Sequence, residues 1–406
     1  MFRMFHRPRY LPPAVEHRGA LHVDALFALF CFVTIWLGVA FGSPIRYLTY
    51  LIPVLGVAFA MAMGGIHMPD IYRPMLVLVV GGIATAPLAT LWGWQDLYLV
   101  LIGIMPFCLG YRPRLTWWQV FWGFVIGTVL GLAVVQLFGR SPLEGGVQFN
   151  PLLSQSSFES PYGHAFGVLA VWAAVTRRWK HFLLALVLAI LTLKRIAVIA
   201  TVVCGLVYLM PRGLVDRVLR PWFMIPANVL LLSLAILYGL GYFDRWVYET
   251  FGTSSNHVSM GRRWLYHWPA RDIVDSMPGL LFIGDGAGHV YQVLMQKAGY
   301  SGKYQLHSDL MKLLLEYGGL VFFLYFWFAY RFKSLAARMF WLYFNIIMLT
   351  DNALNYQYLV FVLGLCSMCA RRELGDTEGM MSSLYTSNAT VGAQLNRPPI
   401  RNANSP

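Results

Sequence analysis

Residues 222–243, WFMIPANVLLLSLAILYGLGYF, contain no charged side chain, and a polar stretch begins directly after them at Asp244. A helix of about 20 apolar residues is long enough to span the hydrocarbon core of a bilayer. The chain of 406 residues is 58% hydrophobic and only 12% charged, whereas soluble domains have about 25% charged residues. The run and the composition together predict one polytopic membrane domain, not a series of soluble domains.

Eleven further apolar segments have the same character, so we predict an all-α membrane protein with about twelve transmembrane helices. Several segments are shorter than about 20 residues, which tilting or local thinning of the bilayer accommodates. The predicted spans are 24–42, 47–64, 74–92, 96–111, 117–138, 161–176, 181–194, 195–210, 222–243, 308–330, 336–350 and 356–370.

The predicted spans divide the chain into five parts. A cytoplasmic segment covers residues 1–23, helices one to nine lie within 24–243, and a large loop covers 244–306. Helices ten to twelve lie within 307–372, and the polar tail 373–406 is predicted to be a disordered cytoplasmic extension.

Basic residues indicate the orientation of the chain, because cytoplasmic loops of membrane proteins are enriched in Lys and Arg. With the N-terminus inside, the inner segments hold 18 of the 31 Lys and Arg residues, and the tail adds two. The loop 244–306 contains six of the remaining 11. The net charge of +13 is therefore mostly a topology signal, and no nucleic-acid partner is expected. The large loop is predicted to lie outside the cytoplasm.

The large loop is predicted to be partly folded. Residues 259–277 favour a helix interrupted at Pro269, residues 284–288 (GDGAG) a tight turn, and residues 289–298 a short helix. A second outer loop is expected at 139–160. A loop as long as 244–306 in a compact protein is usually either functional or disordered. Because this loop is predicted to be partly folded, we favour a functional loop.

Arginines in outer segments are the first candidates for a binding site. Lys194 and Arg195 lie in a helical hairpin, and Arg262, Arg263 and Arg271 lie in the large loop. They either contact lipid headgroups and solvent, or bind a phosphate-bearing ligand, for which the planar guanidinium is suited. Arg271 is the weaker candidate because the neighbouring Asp272 and Asp275 can pair with it.

His307 is the candidate general base. It lies where the large loop meets an apolar segment, and a histidine titrates near physiological pH. The alternative is a simple helix-cap or interface residue. Asp309 can cap the helix or orient the imidazole, and Asp351 with Asn352 returns to the same side in the last outer loop. We therefore expect Asp351 to complete a site with His307.

Metal and disulfide chemistry are not indicated. The outer His and Asp residues show no familiar metal-ligand spacing, so the site is predicted to be metal-independent and without a cofactor. The five cysteines, Cys31, Cys108, Cys204, Cys366 and Cys369, all lie in apolar segments and are expected to be packing residues.

The order of these motifs resembles the O-antigen ligase and O-antigen polymerase superfamily of bacterial envelope glycosyltransferases. The resemblance covers about residues 190–355. It rests on the hairpin Lys194-Arg195, Gly261-Arg262-Arg263 in a long outer loop, GDGAG at 284–288, His307-Ser308-Asp309, and an Asp in the last outer loop.

The resemblance implies a metal-independent, inverting glycosyl transfer at the periplasmic face of the bacterial inner membrane. It implies an undecaprenyl-diphosphate-linked glycan as donor, a glycan or lipid-linked acceptor, and a chain-length regulator protein as a further partner. Arg195 and either Arg262 or Arg263 would hold the diphosphate, His307 would act as base, and Asp351 would orient.

Three functions remain open at this point. A polymerase joins lipid-linked repeat units into O-antigen, capsule or exopolysaccharide, and the resemblance favours it. A ligase transfers the finished glycan to the lipid A core. A flippase for lipid-linked sugars is less favoured, because it needs charges along the middle of its spans, whereas the charges here cluster at one face.

Overall fold

A computed structural model describes residues 23–41, 45–62, 65–138, 149–150, 155–156, 162–300 and 304–375. In these ranges the chain is predominantly helical, with one antiparallel pair of two-residue strands, β1 (Phe149–Asn150) and β2 (Gln155–Ser156). The predicted all-α class is therefore confirmed for the described residues. Residues 1–22, most of the predicted outer loop 139–160 and the tail beyond residue 375 lie outside them.

Eighteen α-helices make up the described fold. The first nine are α1 (Val23–Phe41), α2 (Ile45–Leu48), α3 (Leu51–Ala62), α4 (Arg73–Ala84), α5 (Leu91–Ile104), α6 (Trp117–Phe138), α7 (Tyr162–Val175), α8 (Trp179–Leu191) and α9 (Arg195–Leu209). The others are α10 (Arg212–Val218), α11 (Pro221–Leu240), α12 (Asp244–Phe251), α13 (Ser255–Val258), α14 (Arg262–Leu280), α15 (His289–Ala298), α16 (Asp309–Tyr330), α17 (Leu335–Met348) and α18 (357–375).

Each of the twelve predicted spans overlaps at least one of these helices, although several boundaries differ. The segment predicted at 74–92 ends as a helix at Ala84, and α5 begins at Leu91 instead of 96. Thr90 caps α5 by accepting a hydrogen bond from the Gly93 amide at 3.2 Å. Among the described residues, two helices are long and apolar enough to cross a membrane, α11 and α16, and eight further apolar helices are shorter.

Helix α7 lies at the centre of the bundle. All of its residues are buried, and it packs against α6, α8, α9 and α17. Small residues make this close packing possible. A Cβ on Gly167 would lie 2.0 Å from the hydroxyl of Tyr343, so only glycine fits there. By contrast, α8 and α11 expose large apolar side chains such as Leu183, Val187 and Leu230.

Helix α14 forms the main part of the large loop and packs against α11. The prediction of an interruption at Pro269 is wrong, because the helix continues through this residue to Leu280. Pro269 and Ala270 are buried, and a Cβ on Gly239 of α11 would lie 2.9 Å from the Cβ of Ala270. Close packing against α11 offsets the missing backbone donor of the proline. The predicted helix at 289–298 is confirmed as α15.

The glycine-rich turn between α14 and α15 joins the loop to the bundle. Gly286 and Gly288 have φ values of 95° and 85°, so the prediction of unusual backbone angles is confirmed. The amide of Asp285 donates to the carbonyl of Leu315 at 2.9 Å, where α16 approaches a break at Gly318 (φ 82°). The turn therefore holds the loop against a broken helix.

Segments predicted to share a side of the membrane lie at the same end of the bundle. Arg178, which follows α7, pairs with Glu373 of α18 at 3.0 Å, and Arg338 of α17 pairs with Asp216 of α10 at 2.5 Å. All four residues belong to predicted inner segments. The predicted outer residues His307 and Asp351 meet at the opposite end of α17.

Candidate active site

His307 lies just before α16 in a backbone conformation that few residues adopt. Its φ is 57°, in the left-handed region, which costs free energy for a side chain other than glycine. Two contacts hold this conformation. The hydroxyl of Tyr266 donates to the His307 carbonyl at 2.6 Å, and the His307 amide donates to Asn352 Oδ1 at 3.2 Å. The imidazole is thus fixed between α14 and the segment after α17.

Asp351 is the acceptor at the centre of the cluster. Its Oδ1 accepts hydrogen bonds from the hydroxyl of Tyr356 at 2.6 Å and from the amide of Asn352 at 2.8 Å. The same oxygen lies 3.6 Å from His307 Nδ1, and Oδ2 lies 3.4 Å from His164 Nε2. The structure therefore brings Asp351 and His307 together, as the sequence predicts.

The surroundings of Asp351 keep its carboxylate ionised. Burial alone raises its pKa, but the neighbouring imidazoles of His164 and His307 and the hydroxyl of Tyr356 lower it. The net effect is a pKa well below the ordinary value of aspartate. A negative charge is therefore available beside the imidazole of His307 at neutral pH.

His164 is a member of the cluster that the sequence analysis missed. It lies in the first turn of α7, with its side chain 1% exposed, whereas the His307 side chain is 37% exposed. His307 is thus the histidine that a substrate can reach. One sequence signal could have identified it. A histidine inside a predicted apolar span is costly to bury unless it has a polar partner, so its presence indicates a functional or paired residue.

The Nδ1 atom of His307 faces two different groups. The side-chain nitrogen of Asn352 is 3.1 Å away and Asp351 Oδ1 is 3.6 Å away. While Asn352 Oδ1 accepts from the His307 amide, its Nδ2 donates to Nδ1, which leaves the neutral ring with its proton on Nε2. Base chemistry through Nε2 needs the other tautomer, in which Nδ1–H donates to Asp351. Asn352 and Asp351, the partners of Nδ1 in the two tautomers, both lie beside this atom.

Arg262 lines a cavity of about 320 Å³ next to this cluster. The cavity also has Tyr266, the residue that holds His307, and Thr350, the neighbour of Asp351, in its wall. The rest of the wall is mostly apolar and comes from α11, α16 and the end of α17, namely Leu231, Leu234, Ala235, Leu310 and Leu349. A cation therefore lies in a mostly apolar groove whose wall includes Tyr266, which binds the His307 carbonyl, and Thr350, the neighbour of Asp351.

Arg263 is engaged elsewhere. Its guanidinium binds the Asp244 carboxylate through Nε at 3.3 Å and Nη2 at 3.0 Å, and its Nη1 lies 3.4 Å from His267. Burial raises the pKa of Asp244, but the Arg263 hydrogen bonds more than offset this and the pKa falls below its ordinary value. This contact joins α12 to α14. Of the two neighbouring arginines, Arg262 is the one beside the cavity.

Arg271 does not join the cluster. It is exposed on α14, and within the described residues it forms no ion pair. Asp272, the neighbour suggested as its partner, instead binds His289 at 2.9 Å and the ammonium of Lys297. Of the two possible partners of Arg271, Asp272 is therefore engaged by α15 instead.

Lys194 and Arg195 lie close to the other side of the cluster. A Cβ on Gly163, next to His164, would lie 3.0 Å from Lys194 Cγ, so the hairpin packs against the start of α7. Arg195 is exposed at the first residue of α9. It does not line the cavity beside Arg262.

Asp309 neither caps α16 nor contacts the imidazole. Its Oδ2 accepts a hydrogen bond from the Leu354 amide at 2.8 Å and so holds the segment after Asp351. One turn further along, Lys312 is buried against Asp96 of α5, whose Oδ2 also accepts from the Tyr291 hydroxyl at 2.6 Å. Sequence reasoning missed this network, which ties α15 to the bundle.

Asp272, Asp285 and His289 form a group on the loop with metal-ligand geometry that the sequence analysis missed. Their ligand atoms lie within 4.8 Å of one another. However, the ammonium of Lys297 binds one Asp272 oxygen, and His289 Nε2 binds the other. A positive side chain already satisfies the carboxylate, so we assign no metal to this group.

Comparison of the chain with protein-family models, with curated proteins and with solved structures gave no match.

Proposed function

We propose that the chain is an integral membrane glycosyltransferase that extends a glycan carried on a polyprenyl diphosphate, at the extracytoplasmic face of a bacterial inner membrane. The observation that carries the proposal is the cavity in which Arg262 lies in an apolar groove beside His307 and Asp351. A cation, an apolar wall and a base with its orienting carboxylate are the parts that such a reaction needs.

Membrane placement is supported by the outward surface of the helices. Helices α11 and α16 have the length and composition of spans, and α3, α6, α8, α9 and α11 all expose large apolar residues. Many large apolar side chains exposed along the same helices are expected on a surface that faces lipid. Predicted inner and outer segments also collect at opposite ends of the bundle, as a polytopic topology of about twelve spans requires.

The donor class follows from the cavity wall. Its apolar residues belong partly to α11, whose other side chains face outward, so a polyprenyl chain can reach the groove from the lipid. A guanidinium binds phosphate oxygens in pairs and stabilises the charge that develops on a leaving diphosphate. We therefore assign diphosphate binding to Arg262, with Lys194 and Arg195 as further cations near the cluster.

The reaction is a single displacement. The acceptor hydroxyl oxygen forms a bond to the anomeric carbon while the bond from that carbon to the diphosphate oxygen breaks. The diphosphate leaves with the electron pair, and the hydroxyl proton passes to Nε2 of His307. The resulting imidazolium is stabilised by Asp351. Attack opposite the leaving group inverts the anomeric centre.

The experiment replaces His307 by Ala in the chromosomal copy and separates surface and lipid-linked glycans on a gel, at matched protein level. Loss of long chains with single repeat units remaining is the expected result for a polymerase. Accumulated long lipid-linked chains would indicate a ligase instead. The matched control is His257→Ala, an exposed histidine of the same loop, which should leave the ladder unchanged. An unchanged ladder with His307→Ala would refute the base assignment and favour transport.

Arg262 is tested by replacement with Gln. The expected result is loss of chain extension at a normal protein level, because Gln keeps much of the length of the side chain but cannot carry the charge that stabilises the diphosphate. Arg245→Gln is the matched control, since Arg245 pairs with Glu249 on the outside of α12. If Arg245→Gln reduced chain extension as much as Arg262→Gln does, chain extension would depend on the net positive charge of the loop and not on Arg262 in particular.

A further inference from the structure

A second cavity lies at the opposite end of the bundle from His307. It has a volume of about 550 Å³ and lies between the segment before α4, the segment before α6 and the end of α18. Three arginines line it, Arg112, Arg371 and Arg372. All three belong to segments predicted to face the cytoplasm, so the proposed glycosyl transfer does not use them.

The charge of this cavity is strongly positive. Asp70 is the one acidic residue in its wall, and its carboxylate is paired with Arg73 at 2.5 Å. Glu373, the neighbour of Arg372, binds Arg178 at 3.0 Å and accepts a hydrogen bond from the Trp172 indole at 3.0 Å. A concave surface lined by one sign of charge attracts the opposite ion.

The position of Arg112 is held by the backbone. Its Nη1 donates to the Tyr111 carbonyl at 3.1 Å and to the Phe107 carbonyl at 3.4 Å. These bonds keep the guanidinium at the cavity wall. A snorkelling arginine would instead extend freely into solvent.

An apolar crevice adjoins the basic cavity. It has a volume of about 300 Å³ and lies between α1, α6 and α18. Pro113 lines both spaces, and Tyr111, the neighbour of Arg112, lines the crevice. Phe361 and Leu365 supply part of its α18 wall. A polar, positive cavity therefore lies next to an apolar crevice, with Pro113 in the wall of both.

We propose that this double cavity binds an anionic phospholipid, with the phosphate headgroup against the arginines and an acyl chain in the crevice. Anionic lipids are enriched at the cytoplasmic surface, where the site is predicted to open. The proposal rests on the membrane placement argued above but not on the glycosyl transfer. A negative lipid result therefore leaves the His307 experiment untouched.

The test uses the full chain purified in an uncharged detergent. Phosphatidylglycerol or phosphatidylcholine is titrated into it, and the bound lipid is counted by native mass spectrometry while unfolding is followed by tryptophan fluorescence. Phosphatidylglycerol should bind and raise the unfolding temperature, and phosphatidylcholine should not. Equal binding of both lipids would overturn the proposal.

Two sets of variants locate the headgroup. Arg112→Gln combined with Arg371→Gln should weaken phosphatidylglycerol binding about 30-fold, or roughly 2 kcal/mol, since each cation near a membrane surface contributes about 1 kcal/mol. Arg114→Gln is the matched control, because Arg114 is exposed in the same segment but does not line the cavity. An equal loss with Arg114→Gln would contradict a specific site.

The crevice is tested through Gly123, which lines it and where an added Cβ would lie 3.8 Å from Phe32. Gly123→Leu should fill the crevice and weaken phosphatidylglycerol while leaving the binding of glycerol phosphate unchanged. If inorganic phosphate alone gives the full thermal shift and Gly123→Leu has no effect on the lipid, the site binds a free anion and the lipid assignment is wrong.

Discussion

Replacing Asp351 by Asn separates the charge of the cluster from its shape. The amide keeps one acceptor oxygen, so the hydrogen bonds from Tyr356 (2.6 Å) and from the Asn352 amide (2.8 Å) can remain. What disappears is the negative charge between His307, 3.6 Å away, and His164, 3.4 Å away. We expect a large loss of activity with a modest loss of stability.

The expected loss of activity is larger than the expected loss of stability. A positioned base contributes about 10²–10⁴-fold to a rate, which corresponds to roughly 2.7–5.5 kcal/mol of activation free energy. Without the charge, the imidazolium that forms on His307 during the reaction loses the anion that stabilises it, so the rate should fall by about this factor. The free energy of unfolding should fall by about 1.5–3 kcal/mol, the typical contribution of a hydrogen bond to a charged group.

The stability difference should depend on pH in a direction set by the Asp351 pKa. This pKa lies well below its ordinary value in the folded state, and an unfolded aspartate titrates near about 3.9. The contribution of the charge is therefore fully present above about pH 4 to 5 and falls as the pH drops further. Wild type and variant should differ in unfolding temperature at pH 7, and this difference should begin to shrink below about pH 4 and keep shrinking as the pH approaches the low pKa of the folded state.

The assay combines turnover of a lipid-linked oligosaccharide at pH 7 with thermal unfolding in detergent across this pH range. Asp275→Asn is the matched control, because Asp275 is exposed on α14. If Asp351→Asn turns over within threefold of wild type while remaining folded, the carboxylate does not orient His307, and the mechanism argued here is wrong.

Three further predictions concern the attachment of the loop. Lys312→Met should lower the free energy of unfolding by about 3–5 kcal/mol, because it leaves the buried carboxylate of Asp96 without its cation. A double variant that also carries Asp96→Leu should recover part of this loss. Thermal unfolding measures the stability of both variants. Gly284→Ala should abolish activity, since its Cβ would lie 2.4 Å from the backbone of α16, whereas Gly279→Ala, whose Cβ meets nothing within 4 Å, should retain it in the same turnover assay. Arg263→Gln should make the loop more susceptible to proteolysis, because it removes the ion pair with Asp244 of α12. The distribution of glycan chain lengths on the gel should stay unchanged. Limited proteolysis, run alongside the gel assay, tests both expectations.

Local signals explain the parts of the fold that the sequence predicts well. Helix α15 has the predicted bounds, 289–298, and glycines with positive φ flank it, Gly288 at 85° and Gly299 at 71°. Helix α6 also matches its predicted range, from Trp117 to Phe138. In these cases the capping residues and the apolar run define the element without tertiary information.

Tertiary packing explains what the sequence did not predict. His164 reaches Asp351 because α7 lies against α17, and no pattern within 161–176 carries that contact. Arg262 and Arg263 are adjacent, so composition cannot separate their roles. Which of the two side chains lines the cavity depends on which face of α14 each one occupies. That is set by the start of the helix, directly after the left-handed Gly261 (φ 87°).

The arrangement of contacts argues that the large loop is part of the site and not a lid over it. Tyr266 of α14 holds the strained His307 backbone, and Tyr291 of α15 donates to Asp96 within the buried charge network. The glycine turn bonds to α16 a few residues before its break at Gly318. A catalytic base gains most from surroundings that need no reorganisation during the reaction. Because the loop supplies both the support of His307 and the guanidinium of Arg262, movement of the loop would disrupt the proposed base and the proposed diphosphate site together. We therefore propose that the donor enters from the lipid through the groove between α11 and α14, and that the acceptor approaches the exposed side of His307.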